Sequence, residues 1–174
     1  MYKENPTRIF IVDDNKIFSH ALKNDIETSF NKKNIVVDSF ATGETCMMKF
    51  KEEKPQVVIL DYHLNSQYPD AMDGIKVLDL IKKENVETNV IMLTAEDNVD
   101  VALKSFHHGA SDYVVKTDSQ FRKINYSLSN LFKMMEARND AKRYKRLLIA
   151  LFLLIALLIG GVIAIQIFAP SLLR

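Results

Sequence analysis

The sequence predicts a doubly wound α/β domain, a five-stranded parallel sheet with helices on both faces, followed by one helix apolar enough to cross a membrane. Three observations carry this. Short apolar runs, several rich in β-branched residues, alternate with stretches of helical periodicity. Most of those runs stop at a residue whose side chain bears chemistry. Residues 147–169 hold no charged side chain, and Gln166 is the one strongly polar residue among them. An unbroken apolar run of this kind reads as a strand buried on both faces, as in a parallel sheet covered by helices.

The first strand is Arg8-Ile9-Phe10-Ile11-Val12, closed by Asp13-Asp14-Asn15. Phe18, Leu22, Ile26 and Phe30 then recur every four residues, one face of a helix. Ile35-Val36-Val37-Asp38-Ser39-Phe40 is the second strand. Thr42 or Gly43 opens a helix through about Phe50, with Met47 and Phe50 inward. Val57-Val58-Ile59-Leu60 follows Pro55 and runs straight into Asp61, the third strand and the junction on which the site depends. A long loop, Tyr62 to Met72, leads to a helix from about Asp73 with Ile75, Leu78 and Ile81 inward. Val90-Ile91-Met92-Leu93 is the fourth strand and ends at Thr94. A helix from about Asn98 to His108 stops at Gly109, a C′ position. Tyr113-Val114-Val115 is the fifth strand and ends at Lys116. The last helix begins near Gln120 with Phe121, Ile124, Leu128, Leu131 and Met135 facing in.

Composition narrows the function classes. A chain of 174 residues suits one domain with an appendage. The 23 basic and 22 acidic residues balance, so no overall field points to nucleic acid. Cys46 stands alone, which excludes an internal disulfide framework or a cysteine metal cluster. Met1 to Thr7 lacks the apolar stretch of a secretory signal.

Strands alternating with helices call for right-handed crossovers and a parallel sheet. At this size the flavodoxin-like order 2-1-3-4-5 fits, with its switch point between strands one and three. Asp13, Asp14 and Asp61 then share one crevice, and Thr94 and Lys116 reach the same edge. Asp61 alone is also an ordinary loop start; four strands ending in this set of residues are not ordinary packing. Three clustered carboxylates repel one another unless a cation or proton intervenes, and Mg²⁺ with its oxygen ligands is the simplest relief. A carboxylate can also act as nucleophile and take up a phosphoryl group, whose charge a lysine and a hydroxyl then stabilise. Asp61 takes the nucleophile's place, Asp13 and Asp14 the metal's, and Lys116 and Thr94 face the phosphoryl oxygens.

With Ile11-Val12-Asp13-Asp14, Val58-Ile59-Leu60-Asp61, Met72-Asp73-Gly74, Leu93-Thr94-Ala95 and Gly109-Ala110-Ser111-Asp112-Tyr113-Val114-Val115-Lys116, the chain resembles the receiver domains of two-component response regulators, the chemotaxis receiver included, over roughly residues 6–135. The resemblance implies a phosphoacceptor rather than an enzyme, with self-dephosphorylation as its one catalytic property: Asp61 takes phosphate from a histidine kinase or phosphotransfer protein. It implies Mg²⁺ held by Asp14, Asp61 and the backbone carbonyl of His63, with Asp13 assisting. It makes Thr94 and Tyr113 a switch pair. His63 and Glu96 flank the phosphoryl position. Two departures stand out. Thr117 follows Lys116 where the family has a proline after a cis peptide, and a cis bond before threonine costs about 3–4 kcal/mol, so a trans bond is expected. The loop after Asp61 is longer than the family's and carries Asn65-Ser66-Gln67-Tyr68-Pro69-Asp70.

Leu147 to Ala169 would be about 35 Å long as a helix, enough for a hydrocarbon core of about 30 Å. Lys142, Arg143, Lys145 and Arg146 lie just before it and only Arg174 beyond. The positive-inside rule places residues 1–135 in the cytoplasm, 136–146 as a basic helical stalk, 147–169 as a single span of the inner (cytoplasmic) membrane, and 170–174 outside. The lipid bilayer is thus a partner, and the basic cluster meets anionic headgroups. Ala156, Gly160 and Ala164 form a small-xxx-small stripe that permits a homodimer. Output is expected through contact with a downstream protein on the face of the fourth helix, fifth strand and fifth helix, with no nucleic acid bound. The competing readings are a membrane-tethered binding module that is never phosphorylated, and a Mg²⁺-dependent aspartyl-phosphate phosphatase. The latter wants a second Asp two residues after its nucleophile, where this chain has His63.

Overall fold

The computed structural model describes residues 6–64, 72–95 and 98–168, the side chains of 165–168 excepted. The chain divides into two compact units, Met1–Ser129 and Asn130–Arg174. The first is a sheet of five parallel strands, β1 (Thr7–Val12), β2 (Ile35–Phe40), β3 (Val57–Asp61), β4 (Asn89–Thr94) and β5 (Asp112–Val115), in the order β2-β1-β3-β4-β5. Between them run α1 (Lys16–Ser29), α2 (Gly43–Glu53), α3 (Gly74–Glu84) and α4 (Val99–His107), and α5 (Gln120–Phe168) follows. The doubly wound α/β expectation is met, strand order included.

All five residues of β3 are buried, as are the last four of β1. Their side chains alternate between two faces. Phe10, Val12, Val58, Leu60, Val90 and Met92 form one core with Cys46 and Phe50 of α2 and Ile75, Val77, Leu78 and Ile81 of α3. Ile9, Ile11, Val57, Ile59 and Ile91 are fully buried on the other side, the side of α1 and α5, whose Leu22, Ile26, Ile124 and Leu128 are buried too. α1 and α5 meet through the Phe18 and Phe121 rings, 5.7 Å apart, and through Asn125 Nδ2 donating to Asp25 Oδ2 at 2.8 Å. Phe18 and Phe30, expected inward, are only half-buried, and Ser19 takes a buried place on α1 instead.

Each of α1 to α4 starts where a short polar side chain can accept from orphan amides. Asn15 accepts from Ile17 and Phe18, Thr42 from Thr45, Asp73 from Lys76 and Asn98 from Asp100. Such a cap contributes about 1 kcal/mol. α4 ends in a Schellman motif: the N–H of Gly109 donates to Phe106 O and that of Ala110 to Ser105 O, with Gly109 at φ +93°. α2 ends less comfortably, with Lys54 at φ +47° just before Pro55.

In the second unit, α5 continues without interruption to Phe168. Its apolar portion reaches a mean hydropathy of 3.1 and none of that portion is buried, so by length and composition it is able to cross a membrane.

Candidate functional site

The register of the sheet assembles the acidic site. Val12 lies opposite Leu60, so Asp13, next in the chain, comes beside Asp61 at the carboxyl edge. Asp61 in turn lies opposite Leu93, and Thr94 opposite Val115, which delivers Thr94 and Lys116 to the same edge. Asp13, Asp14 and Asp61 are buried, and each offers a carboxylate oxygen within 4.8 Å of the others'. It is the one grouping of potential metal-ligating side chains of this kind among the described residues.

Lys116 bridges two of the three acids. Its Nζ lies 2.8 Å from Asp13 Oδ2 and 2.8 Å from Asp61 Oδ2, and 5.0 Å from the centroid of the Phe18 ring. Burial pulls the ammonium's pKa down, but the charges of Asp61 and Asp13 outweigh it and hold Lys116 above the usual lysine range. Burial lifts the Asp13 carboxyl; Lys116 pulls it down, Asp61 pushes it up again, and the balance leaves it above the usual carboxylate range. One cation among three buried carboxylates leaves the cluster short of positive charge. The donor set is all oxygen and the spacing is close, which fits a hard divalent cation such as Mg²⁺. Asp13, Asp14 and Asp61 could hold it.

The surrounding backbone sets these groups in place. Asp13 Oδ1 accepts from the N–H of Asn15 at 2.9 Å, so the residue that caps α1 also orients the acid before it. The N–H of His63 donates to Asp61 Oδ1 at 3.4 Å, and the His63 ring stands edge-on to Tyr62. The N–H of Lys116 donates to Thr94 O at 2.7 Å, which carries the β4–β5 ladder one residue further. No cis peptide occurs among the described residues, so Lys116–Thr117 is trans as expected. Gly74 explains the Met72-Asp73-Gly74 motif: a Cβ there would sit 2.3 Å from Asp61 O and 2.8 Å from Tyr62 Cα. Only glycine lets the start of α3 approach the end of β3 this closely.

Thr94 is fully buried at the edge, and Tyr113 is half-buried and packs against the α2–α3 side of the core. Glu96 and the 65–70 insertion lie outside the described residues. Cys46 is buried, and burial pushes its thiol up to about 12. The His107–His108 pair splits: His107 is exposed, while His108 Nδ1 lies 2.6 Å from Asp79 Oδ1 of α3. Three residues near the site escaped the sequence reading in their actual roles. Phe18 lies under the lysine ammonium. Leu64, in the long loop, is fully buried in the core. Glu44 Oε1 accepts from the N–H of Met72 at 2.9 Å and ties the far end of that loop to α2.

Comparison with known proteins agrees with this geometry. The response regulator receiver domain family matches residues 9–125. The regulatory protein AtoC of Escherichia coli is 32% identical over 109 residues, 63% of this chain and 22% of its own length. The transcriptional regulatory protein TrcR of Mycobacterium tuberculosis is 30% identical over 112 residues, 64% of this chain and 40% of its own. The chain thus spans less than half of either relative. Among solved structures, the BeF3-activated DrrB receiver domain, from a Thermotoga maritima protein, superposes with a TM-score of 0.63 at 29% identity, covering 74% of this chain and 99% of that one. A CheY-like receiver domain from Methanospirillum hungatei shares the fold, with a TM-score of 0.64 at 22% identity over 76% of this chain and 99% of its own.

Proposed function

We propose, for a chain that belongs to the response regulator receiver domain family, that Asp61 is its phosphoacceptor and a histidine kinase or phosphotransfer protein its donor. The observation that carries this reading is the bridge of Lys116 between Asp13 and Asp61 at 2.8 Å each, at the end of two adjacent strands. In this reading a phosphohistidine P–N bond breaks as an Asp61 Oδ–P bond forms. Lys116 then turns its charge to a phosphoryl oxygen, and the Thr94 hydroxyl donates to another. Asp13, Asp14, Asp61 and the His63 carbonyl bind Mg²⁺, which supplies charge neutralisation for the transferred group. Thr94 moving toward the phosphoryl group gives Tyr113 space to turn inward, so the two form the switch.

The output in this reading is a protein contact on the face of α4, β5 and the start of α5. That face exposes Val99, Leu103, Phe106 and Tyr126. It also holds a groove of about 470 Å³ bordered by Tyr113, Arg122, Lys123 and Tyr126. Tyr113 belongs to both the proposed switch and the groove wall, which gives the switch a route to the surface. α5 anchors the chain in a membrane, receiver on the cytoplasmic side, in keeping with its unburied apolar stretch and the four cations at 142–146.

The test is incubation of the full chain, in mild detergent, with a small phosphodonor and Mg²⁺. An acid-stable, hydroxylamine-sensitive phosphate on the wild type and none on Asp61→Asn is the expected result. No labelling with several donors would assign the chain instead to the non-phosphorylated tethered modules. Resistance to alkaline extraction from membranes tests the anchor separately.

A further inference from the structure

Away from the acidic site, the densest run of like charge lies in the second unit. Between 138 and 146 stand five basic side chains, Arg138, Lys142, Arg143, Lys145 and Arg146, against one acid, Asp140. All are exposed, on the uninterrupted helix α5. At 3.6 residues per turn the five cations fall within an arc of about 160°. Asp140, Tyr144 and the more distant Lys133 lie outside it. The apolar stretch begins at the very next residue, with Leu147, Leu148 and Ile149 exposed.

We propose that this basic face is a binding surface for the phosphodiester headgroups of anionic phospholipids. The proposal rests on the reading of α5 as a membrane span. Charge and position argue for it together. Lys142, Arg143, Lys145 and Arg146 lie within about 8 Å of the apolar stretch, so their long side chains stand at headgroup depth and can lay their stems along the helix while their tips reach the phosphates. The alternative occupant, a second copy of the helix, has the wrong charge. Gly160 follows Lys142 by 18 residues, which is five helical turns at 3.6 residues per turn. The Ala156-Gly160-Ala164 stripe therefore lies on the same side of the helix as the cations. A Cβ on Gly160 would meet nothing within 4 Å, so the chain's own packing does not require the glycine. Two copies paired in parallel through that stripe would bring their basic faces together, whereas anionic headgroups complement them.

The test places the full chain in lipid nanodiscs of phosphatidylcholine alone or with added phosphatidylglycerol. Lysine acylation by a water-soluble reagent is then quantified residue by residue. Lys142 and Lys145 should react several-fold more slowly when phosphatidylglycerol is present, and the protection should vanish at high salt. Lys133 should react alike in both lipids. The double variant Arg143→Gln, Arg146→Gln should weaken the protection of the two lysines while the chain stays in the disc. A chain retained against an alkaline wash but with equal lysine rates in the two lipids overturns the headgroup proposal alone. A chain released by that wash overturns the span reading and the proposal with it. Efficient crosslinking through Gly160→Cys, with lysine protection independent of lipid charge, would give the face to a second copy and overturn the proposal.

Discussion

Replacing Lys116 by methionine tests whether the acidic cluster is held together by one ammonium. At an effective dielectric of about 20, each of its two 2.8 Å contacts is a gross attraction of about 6 kcal/mol. Desolvation of the buried ions offsets much of that, and removal of one partner from such a network costs about 3–5 kcal/mol net. The side chains are 21%, 0% and 6% exposed for Lys116, Asp13 and Asp61, so solvent screening does not reduce the figure greatly. The pH dependence has a definite sign. Lys116 is held above its ordinary range, so its contribution is complete below the unfolded lysine pKa and is lost only as pH rises through the folded value. Wild type therefore keeps this contribution throughout the neutral range. In Lys116→Met the downward pull on Asp13 disappears while burial and Asp61 still push its carboxyl up. A raised carboxyl favours folding when protonated, so the variant should gain stability as pH falls from neutrality toward the ordinary carboxylate range. Urea denaturation of both chains in chelator, across that range, checks it. A loss at pH 7 below about 1 kcal/mol, too small for removal of one partner from a buried ion network, would refute the reasoning. So would a variant that weakens on acidification.

Further outcomes follow from single contacts. Gly74→Ala places a Cβ against backbone of Asp61 and Tyr62, which cannot swing away. It should cost about 1–3 kcal/mol as an overpacked site does, and slow phosphorylation of Asp61; unchanged denaturation and labelling would contradict the close approach. Cys46, with its thiol pushed up from the ordinary 9.0 to about 12, should resist thiol reagents at pH 8 until the chain unfolds. Because the unfolded thiol ionises first, wild type should lose about 4 kcal/mol relative to Cys46→Ala between those two pKa values. Parallel alkaline profiles for the two chains would be inconsistent with a buried thiol. Lys54→Gly should stabilise modestly, by about 0.5 kcal/mol, since relief of the left-handed backbone exceeds the added freedom of the unfolded chain; a lower denaturation midpoint would exclude that.

The central strands were legible because burial on both faces leaves no polar residue in their middle. Val57 to Leu60 has no other stable place than a central strand, and Asp61 then has nowhere to go but the edge. The acidic site was legible for the same reason: strand ends converge once the order is known. Side-chain roles off the strands were not. Phe18 shares the four-residue spacing of Leu22 and Ile26, and spacing cannot distinguish a ring in the core from a ring under an ammonium. Leu64 is a lone apolar residue in a polar loop, with no period to mark it as buried. The Glu44–Met72 tie joins residues 28 apart through one backbone amide, a contact that leaves no pattern in either segment.

The trans bond at Lys116–Thr117 sharpens what aiming the lysine requires. A cis proline would fix the base of the side chain by constraining the backbone. Here that base is fixed by the N–H of Lys116, which donates to Thr94 O at 2.7 Å and prolongs the β4–β5 ladder to the lysine itself. The tip is fixed separately, by two charge-assisted contacts at 2.8 Å. The Phe18 ring, at 5.0 Å, contributes about 0.5–2 kcal/mol as a cation–π partner. That is less than the carboxylates supply, so the ring restricts the path of the stem and does not choose its target. Its neighbour Phe121 braces it from the start of α5. With base, stem and tip each held by a different element, β4, α1 with α5, and the acids of β1 and β3, the loop after Lys116 is relieved of the aiming task. A threonine can stand at its head for that reason.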